Sequence, residues 1–339
     1  MPRFARLAVL NTMIDVGVIP VFYHHDVETA KKIIQACSAA GLKAIEFTNR
    51  GDNAYRIFSE LVDHFAQADP GVILGVGSVV AAESANLFID SGANFVVGPV
   101  LNPDAARVCN RRKVAYSPGC GSATEIMQAE ELGVEIVKVF PGDAVGGPGF
   151  VKSILGPMPW TRIMPTGGVE ATRESIQAWF QAGVAAVGIG SNLIRKDWVK
   201  AGNFDAIAEK AAEVAGYVRA ARGRPVFMGL EHVGLYPSAE TTGQAMATWY
   251  QSRFGFIEIS GNSSIMLSGS DHGRIEVMKA GEYDHCHVAI QVSDFDQAVE
   301  LLRARDVELA QPVLKPDVKA VFLKQPDPAG NRVHLIWRR

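Results

Sequence analysis

Between about residues 17 and 220 the chain alternates short apolar, β-branched runs with longer stretches of helical period, and does so eight times. Nothing else constrains the fold as strongly, because neighbouring parallel strands need long crossovers, normally helices, to connect them. The pattern predicts strands over Val18–Tyr23, Ala44–Phe47, Ile73–Val76, Asn94–Gly98, Val114–Ser117, Ile136–Phe140, Arg162–Thr166 and Ala186–Ile189. Helices are predicted over Val27–Ala40, Ala54–Ala68, Ala81–Ser91 and Thr172–Ala182, with N-cap-type residues Asp26, Asn53 and Glu170–Thr172 at their starts. Eight strand–helix pairs in roughly 200 residues predict an α/β fold, a (β/α)8 TIM barrel in preference to an open doubly wound sheet.

The texture changes after an Ala-rich helical stretch, Asp205 to Ala221, which runs into Arg222-Gly223-Arg224-Pro225. Pro just after Gly is a strong helix stop, so the expected domains are 1–225 and 226–339. The second part reads as a smaller α+β domain of two βαβββ modules. Strands Glu231–Tyr236, Phe256–Ser260, Ser264–Ser268 and Arg274–Met278 surround helix Gly243–Phe254. Then His287–Val292, helix Phe295–Arg305, Glu308–Leu314, Ala320–Lys324 and Arg332–Trp337 repeat the order. The openings Glu231-His-Val-Gly234 and Cys286-His-Val-Ala289 match, the mark of an internal repeat. Five of the eight histidines lie in this part.

Lys and Arg number 33 against 36 Asp and Glu, so a net charge of −3 gives no excess for a nucleic acid or an anionic membrane. The four cysteines, Cys37, Cys109, Cys120 and Cys286, are scattered without a C-x-x-C pair, which suits reduced thiols and a cytoplasmic address. The apolar run Leu7 to Phe22 is interrupted by Asn11 and Asp15 and lacks a cleavage pattern, so it reads as neither signal peptide nor membrane span.

Lys138 stands among apolar neighbours near the C-terminal end of the sixth predicted strand. Strand alternation sends Ile136, Lys138 and Phe140 to one face, so the amine is expected in the barrel mouth. Partial burial there favours the neutral amine, the condition for attack on a carbonyl, although a lysine so placed can also snorkel to solvent. Glu46 shares the parity of Ala44 and Thr48 near the end of the second strand, where a carboxyl of elevated pKa can exchange protons with a bound intermediate. A buried Glu–Lys pair is the structural alternative, and such pairs contribute little net stability. Arg50 emerges four residues later, placed to hold a carboxylate with its guanidinium fork or to lie on the surface. The turns Thr166-Gly167-Gly168 and Gly188-Ile-Gly-Ser191 suit an anionic substrate end, phosphate or carboxylate. His24 and His25 follow the first strand and read as solvated loop residues.

Residues 15 to 195 resemble the 2-keto-3-deoxy-6-phosphogluconate (KDPG)/4-hydroxy-2-oxoglutarate aldolases, class I pyruvate aldolases on a (β/α)8 barrel. The resemblance rests on Ile19-Pro20-Val21, Ile45-Glu46-Phe47-Thr48, Gly75-Val-Gly-Ser78, Gly98-Pro99, Ser117-Pro118-Gly119, Lys138-Val-Phe-Pro141, Pro165-Thr-Gly-Gly-Val169 and Gly190-Ser191. It implies that Lys138 forms the Schiff base and Glu46 is the general acid/base. Arg50 and Ser78 would hold the pyruvyl carboxylate, with Thr48 beside them. Pro99 and Phe140 would pack the pyruvyl group, and Thr166, Gly167, Gly168 and Ser191 would meet the distal end. Cleavage of a 4-hydroxy-2-oxo acid to pyruvate and an aldehyde then needs no cofactor in this domain, and the resemblance implies a homotrimer. Ser78 stands where Thr is usual, Asn49 and Gly51 replace the commoner residues flanking the arginine, and Phe140-Pro-Gly142 replaces Phe-Pro-Ala. These departures bear on substrate choice more than on reaction type. A phosphate-binding barrel isomerase, with Glu46 moving a proton and Lys138 purely electrostatic, is the alternative enzyme class.

Residues 228 to 338 resemble the vicinal-oxygen-chelate superfamily, which includes glyoxalase I and extradiol dioxygenases. Its metal positions read here as His232, Glu276, His287 and His334, a donor set suited to a divalent transition ion. Many relatives bind no metal, so a metabolite-binding, ligand-sensing or oligomerisation module, or a glyoxalase-like activity, stands beside that reading.

Overall fold

The computed structural model describes residues 2–223, 226–237, 240–260, 264–268, 273–279, 286–315 and 318–338. The chain divides into two compact units, Met1–Gly223 and Arg224–Arg339. The Arg224-Pro225 part of the expected stop signal lies outside the described residues.

The first unit is a parallel α/β structure. In order come α1 (Arg6–Val16), β1 (Val18–Phe22), α2 (Val27–Ala39), β2 (Ala44–Thr48), α3 (Ala54–Ala68), β3 (Ile73–Gly77), α4 (Ala82–Asp90), β4 (Phe95–Val97), α5 (Pro103–Arg112) and β5 (Ala115–Ser117). After them come β6 (Gly119–Cys120), α6 (Ala123–Glu131), β7 (Val137–Val139), α7 (Gly147–Leu155), β8 (Ile163–Pro165), α8 (Arg173–Gln181), β9 (Val187–Ile189), α9 (Lys196–Ala201) and α10 (Phe204–Ala221). One sheet runs β5-β4-β3-β2-β1-β9 and a second β6-β7-β8. The expected fifth strand is β5; Pro118 separates it from the unforeseen short strand β6, and a parallel bridge from Thr166 to Gly188 joins the end of β8 to β9.

Helix starts are fixed locally. The Asp26 carboxylate accepts from the Thr29 amide at 2.8 Å, Asn102 Oδ1 accepts from the Asp104 and Ala105 amides, and Thr172 caps α8. Asn53 departs from expectation: it sits at φ 55° and its side chain caps nothing. Helix α1 was not foreseen, because its apolar sequence runs straight into that of β1. Gly17, at φ +73°, alone separates them in the left-handed conformation that glycine tolerates best.

The apolar residues form two layers. Strand residues of one parity join the helices around Phe47, Phe58, Phe65 and Phe88, each fully buried. Removing one such ring typically costs about 3–5 kcal/mol. Residues of the opposite parity, Ile19, Ala44, Ile73, Phe95, Ala115, Ile136, Met164 and Ala186, pack together within the curled sheet, and Val9, Leu10 and Met13 of α1 close that cluster. Arg6 fixes the helix there through Glu135 and Asn110, both at 2.7 Å. Among the described residues no helix is long and apolar enough to cross a membrane.

The second unit is one eight-stranded sheet ordered β11-β12-β13-β10-β14-β17-β16-β15. Its elements are β10 (Phe227–Leu235), α11 (Gly243–Phe254), β11 (Ile257–Ser260), β12 (Ser264–Ser268), β13 (Arg274–Met278), β14 (His287–Val292), α12 (Phe295–Arg303), β15 (Val313–Lys315), β16 (Val318–Phe322) and β17 (Arg332–Arg338). Expected strand Glu308–Leu314 is mostly irregular, with a single bridge from Leu309 to Leu323. The repeat is visible in the pairing: β10 runs parallel to β13, β14 runs parallel to β17, and β10 and β14 meet antiparallel.

Candidate functional site

In the first unit the residues of interest stand on the strand parity that faces inward, at the C-terminal ends. Lys138 lies on β7 between Gly119 and Met164, and Glu46 on β2 between Val21 and Gly75. Both are buried, at 5% and 1% exposure, so neither snorkels to the surface. The Lys138 ammonium position lies 5.0 Å from the Phe140 ring centre. Burial pushes the Glu46 carboxyl above its ordinary value, and the nearby charges of Lys138 and Arg50 only partly offset this. One Glu46 oxygen, Oε2, is buried without a hydrogen-bond partner, as are the hydroxyls of Thr48 and Thr166. Glycine makes the room: a Cβ on Gly77 would come within 1.7 Å of Glu46 Oε1.

Above them opens a cavity of about 870 Å³ whose wall includes Thr48, Arg50, Phe140, Thr166, Gly167, Gly168 and Ser191. Four expected site residues are not in that wall: Lys138 and Glu46, whose near neighbours Phe140 and Thr48 are, and also Ser78 and Pro99. Ser78 is reached indirectly, accepting a hydrogen bond from Arg50 Nε at 3.0 Å, and its φ of 60° suits serine better than a β-branched threonine. Pro99, after β4, packs its backbone against Gly119. His24 lines the cavity with His25 stacked on it at 4.7 Å, so only His25 is the solvated residue expected.

Among the cavity residues not anticipated are Tyr23, Asn192, Lys196 and Lys200. Tyr23 explains a departure noted above. A Cβ on Gly51 would lie 1.9 Å from the Tyr23 hydroxyl, so the glycine beside Arg50 clears the space this ring fills. The ring also packs on Phe47 at 5.5 Å.

In the second unit the four candidate ligands occupy equivalent places in the two modules. Gly234 pairs with His287 across β10 and β14, and Ala289 pairs with His232, so a small residue faces each histidine. A Cβ on Gly234 would fall 1.8 Å from the His287 ring. Gly234 also pairs with Glu276 on β13, and Ala289 with His334 on β17, which brings all four donors to the centre of the sheet.

His232 Nε2 and His287 Nε2 are 3.1 Å apart, and Glu276 Oε2 lies 3.1 and 3.0 Å from them. Adjacent donors on a six-coordinate ion bonded at roughly 2.1 Å are spaced by roughly 3.0 Å, so the triangle fits a divalent cation. One ring nitrogen from each of His232, His287 and His334 falls within 4.8 Å of the others.

The outer contacts are of the kind that orient metal ligands: Glu231 bonds His232 Nδ1, and the Tyr236 hydroxyl lies 3.2 Å from His287 Nδ1. Arg338 and Arg274 in turn hold Glu231 at 2.8 and 3.3 Å.

The electrostatics agree. Burial works to raise Glu276 and Glu231, but hydrogen bonds from His232, His287 and Ser264 hold Glu276 well below the carboxylate range, and His232 with Arg338 takes Glu231 down to about 2. His232 is raised, its carboxylate partners outweighing burial, whereas burial and the neighbouring imidazoles push His334 down to about 3. The His334 ring is therefore neutral at physiological pH, and its buried Nδ1 has no partner.

Comparison with known proteins bears on the first unit. The family model "Aldolase: KDPG and KHG aldolase" matches residues 9–210. A 2-dehydro-3-deoxy-phosphogluconate aldolase of Treponema pallidum (strain Nichols) is 30% identical over 213 residues, 62% of this chain and 99% of that protein. The KHG/KDPG aldolase of Escherichia coli (strain K12) is 28% identical over 58% of this chain and 89% of its own length. A KDPG aldolase structure from Legionella pneumophila, with pyruvate captured as a covalent carbinolamine, superposes with a TM-score of 0.56 at 26% identity, covering 62% of this chain and 98% of that one. The chain belongs to the KDPG/KHG aldolase family of class I aldolases.

Proposed function

We propose that the first unit is a (β/α)8 barrel that cleaves a 4-hydroxy-2-oxo acid, KDPG or 4-hydroxy-2-oxoglutarate, to pyruvate and an aldehyde through a Schiff base on Lys138. One observation carries the reading: Lys138 is buried on the inward parity of β7, within electrostatic reach of a buried Glu46 whose carboxyl binds its proton more tightly than usual. The Lys138 amine adds to the C2 carbonyl, and loss of water from the carbinolamine gives an iminium that draws the electrons of the C3–C4 bond. The Glu46 carboxylate accepts the C4 hydroxyl proton as that bond breaks, the aldehyde departs, and the remaining enamine takes a proton at C3. Water then releases pyruvate and restores the amine. Arg50, braced by Ser78, holds the pyruvyl carboxylate next to Thr48. Phe140, with Pro99 behind it, packs the pyruvyl group, and Thr166, Gly167, Gly168 and Ser191 receive the distal end.

Borohydride added in the presence of pyruvate is expected to leave a stable adduct on Lys138, read by peptide mass spectrometry. Unmodified Lys138 in protein that turns over substrate would overturn the assignment.

For the second unit we read a vicinal-oxygen-chelate fold over the domain 226–339, with His232, Glu276, His287 and His334 as ligands of a divalent metal. The orphaned His334 nitrogen and the His–His–Glu triangle support this. When bound, such an ion supplies Lewis acidity toward a carbonyl or enolate oxygen. Glu231 and Tyr236 would fix the tautomers that turn ring nitrogens toward it. The reading extends to a reducing, cytoplasmic setting, supported by four cysteines in no disulfide, and to a homotrimer, supported by the family resemblance and testable by sedimentation.

A further inference from the structure

The wall of the cavity carries more positive charge than the pyruvyl chemistry uses. Past the Gly190-Ser191 turn, α9 presents Lys196, Val199 and Lys200 to the cavity, and a spacing of four places both lysines on one helix face. Among the described residues neither ammonium has a carboxylate partner. The adjacent Asp197 is held by Arg195 through two hydrogen bonds, at 3.0 and 2.9 Å. No Asp or Glu belongs to the wall, whose basic members are His24, Arg50, Lys196 and Lys200; Asp143 packs against Gly168 without joining it. These groups follow β9, β1 and β2, which are neighbours in the sheet, so they form an arc of basic side chains along one side of the mouth.

Two like charges one helical turn apart repel, and the repulsion becomes attraction when a single anion sits between them. A phosphomonoester suits this arrangement better than a carboxylate does. It brings nearly two negative charges and three acceptor oxygens, whereas a carboxylate leaves one ammonium uncompensated. Lysine, a compact point charge on a long stem, needs no planar partner to act this way.

We propose that Lys196 and Lys200 form a second anion subsite that receives the substrate's distal phosphomonoester, and that this pair biases the chain toward phosphorylated over dicarboxylate 4-hydroxy-2-oxo acids. The inference rests on the Schiff-base reading and concerns the opposite end of the substrate. The lysines touch no reacting atom; they determine specificity.

The test compares kcat and KM of the full chain, its Lys196→Ala/Lys200→Ala variant and its Lys196→Arg/Lys200→Arg variant. The substrates are KDPG, its unphosphorylated counterpart 2-keto-3-deoxygluconate, and 4-hydroxy-2-oxoglutarate. The alanine pair is expected to raise KM for KDPG on the order of 10-fold with kcat nearly unchanged, and to leave both unphosphorylated substrates within about twofold. Competitive inhibition by inorganic phosphate should weaken in proportion, and the steep loss of KDPG affinity with added salt should flatten. The arginine pair should retain most of the preference. Equal losses on all three substrates, or an unchanged KDPG KM, would overturn the subsite. Pyruvate trapping by borohydride separates the two levels. Failure to trap in the unsubstituted chain defeats the Schiff-base reading, while normal trapping in both with unaltered selectivity defeats only the lysine subsite.

Discussion

The two units bury ionisable groups in opposite ways. In the first, Glu46 Oε2, Thr48 Oγ1 and Thr166 Oγ1 are buried with their hydrogen-bonding capacity unspent, close to a lysine and beneath an open cavity. In the second, His232, His287, Glu276, Glu231, Ser264 and Arg338 are bonded to one another at the middle of a sheet, and of that cluster the His334 Nδ1 is left without a partner. Unspent polar atoms cost stability until a substrate supplies partners, so the first arrangement trades stability for reactivity. A mutually bonded cluster that converges on one point trades polar burial for rigidity, which suits holding an ion. On the proposed readings, the contrast separates a site that makes bonds to carbon from one that would hold a cation.

The sharpest way to break that contrast is at Lys138. Lys138→Met should lower kcat/KM on the order of 10⁴-fold or more, by comparison with loss of other covalent nucleophiles, while metal content and the unfolding of the second unit stay unchanged. Substantial activity in that variant would mean that covalent chemistry is not what the first unit does.

Next in size is ion removal. Chelation, or His287→Ala, should lower the melting temperature of the second unit alone by the equivalent of about 3–4 kcal/mol, as expected for loss of a tightly bound ligand. Calorimetry with elemental analysis reads this, and a protein that carries no metal and is unmoved by added Zn²⁺, Mn²⁺ or Ni²⁺ would show the cluster to be purely structural.

Gly51→Ala tests how finely the first site is fitted. The added methyl must displace the Tyr23 hydroxyl or the Arg50 loop, and we expect kcat/KM to fall about 10-fold, mostly through KM. A neutral result would separate Tyr23 from substrate binding.

The smallest effect is a gain. Beyond its loss of activity, Glu46→Gln should raise the melting temperature of the first unit by about 2–4 °C, roughly 1 kcal/mol. The sign follows from the raised carboxyl. The folded chain holds that proton more tightly than the unfolded one, so the penalty is absent below the ordinary value of 4.5, grows as pH rises through the folded value, and is constant above. The difference between the two proteins should therefore be small near pH 4.5 and reach a plateau at higher pH.

Parity made much of the first site legible. A lone lysine in an apolar run, two residues after Ile136 and two before Phe140, could be assigned a direction from strand geometry alone, and Glu46 followed from the same rule. The repeat predicts matching positions for His232 and His287, as the pairing shows, whereas their reading as metal candidates came from the superfamily resemblance. What stayed hidden depends on contacts between distant segments. Tyr23 and Gly51 meet only after β1 and β2 pair, and no local pattern announces that one clears space for the other. Asn53 looked like a cap by residue type, but an asparagine is equally at home at positive φ, and the loop uses it that way. Lys196 and Lys200 were visible as a spacing of four, yet a short helix after the last strand gave no sign of which face met the cavity.

Helix α1 has a consequence for kinetics. Val9, Leu10 and Met13 pack the inward strand cluster shut away from the cavity, so the strand ends that carry Lys138 and Glu46 are approached from the cavity side. A pyruvyl group held on Lys138, as proposed, would lie next to Phe140 of the cavity wall, and every other reactant would come and go through that cavity. Fragments should accordingly depart in a fixed sequence, aldehyde before pyruvate. In the reverse, carbon–carbon bond-forming direction the donor must board before the acceptor, an obligatory queue that product-inhibition patterns would register.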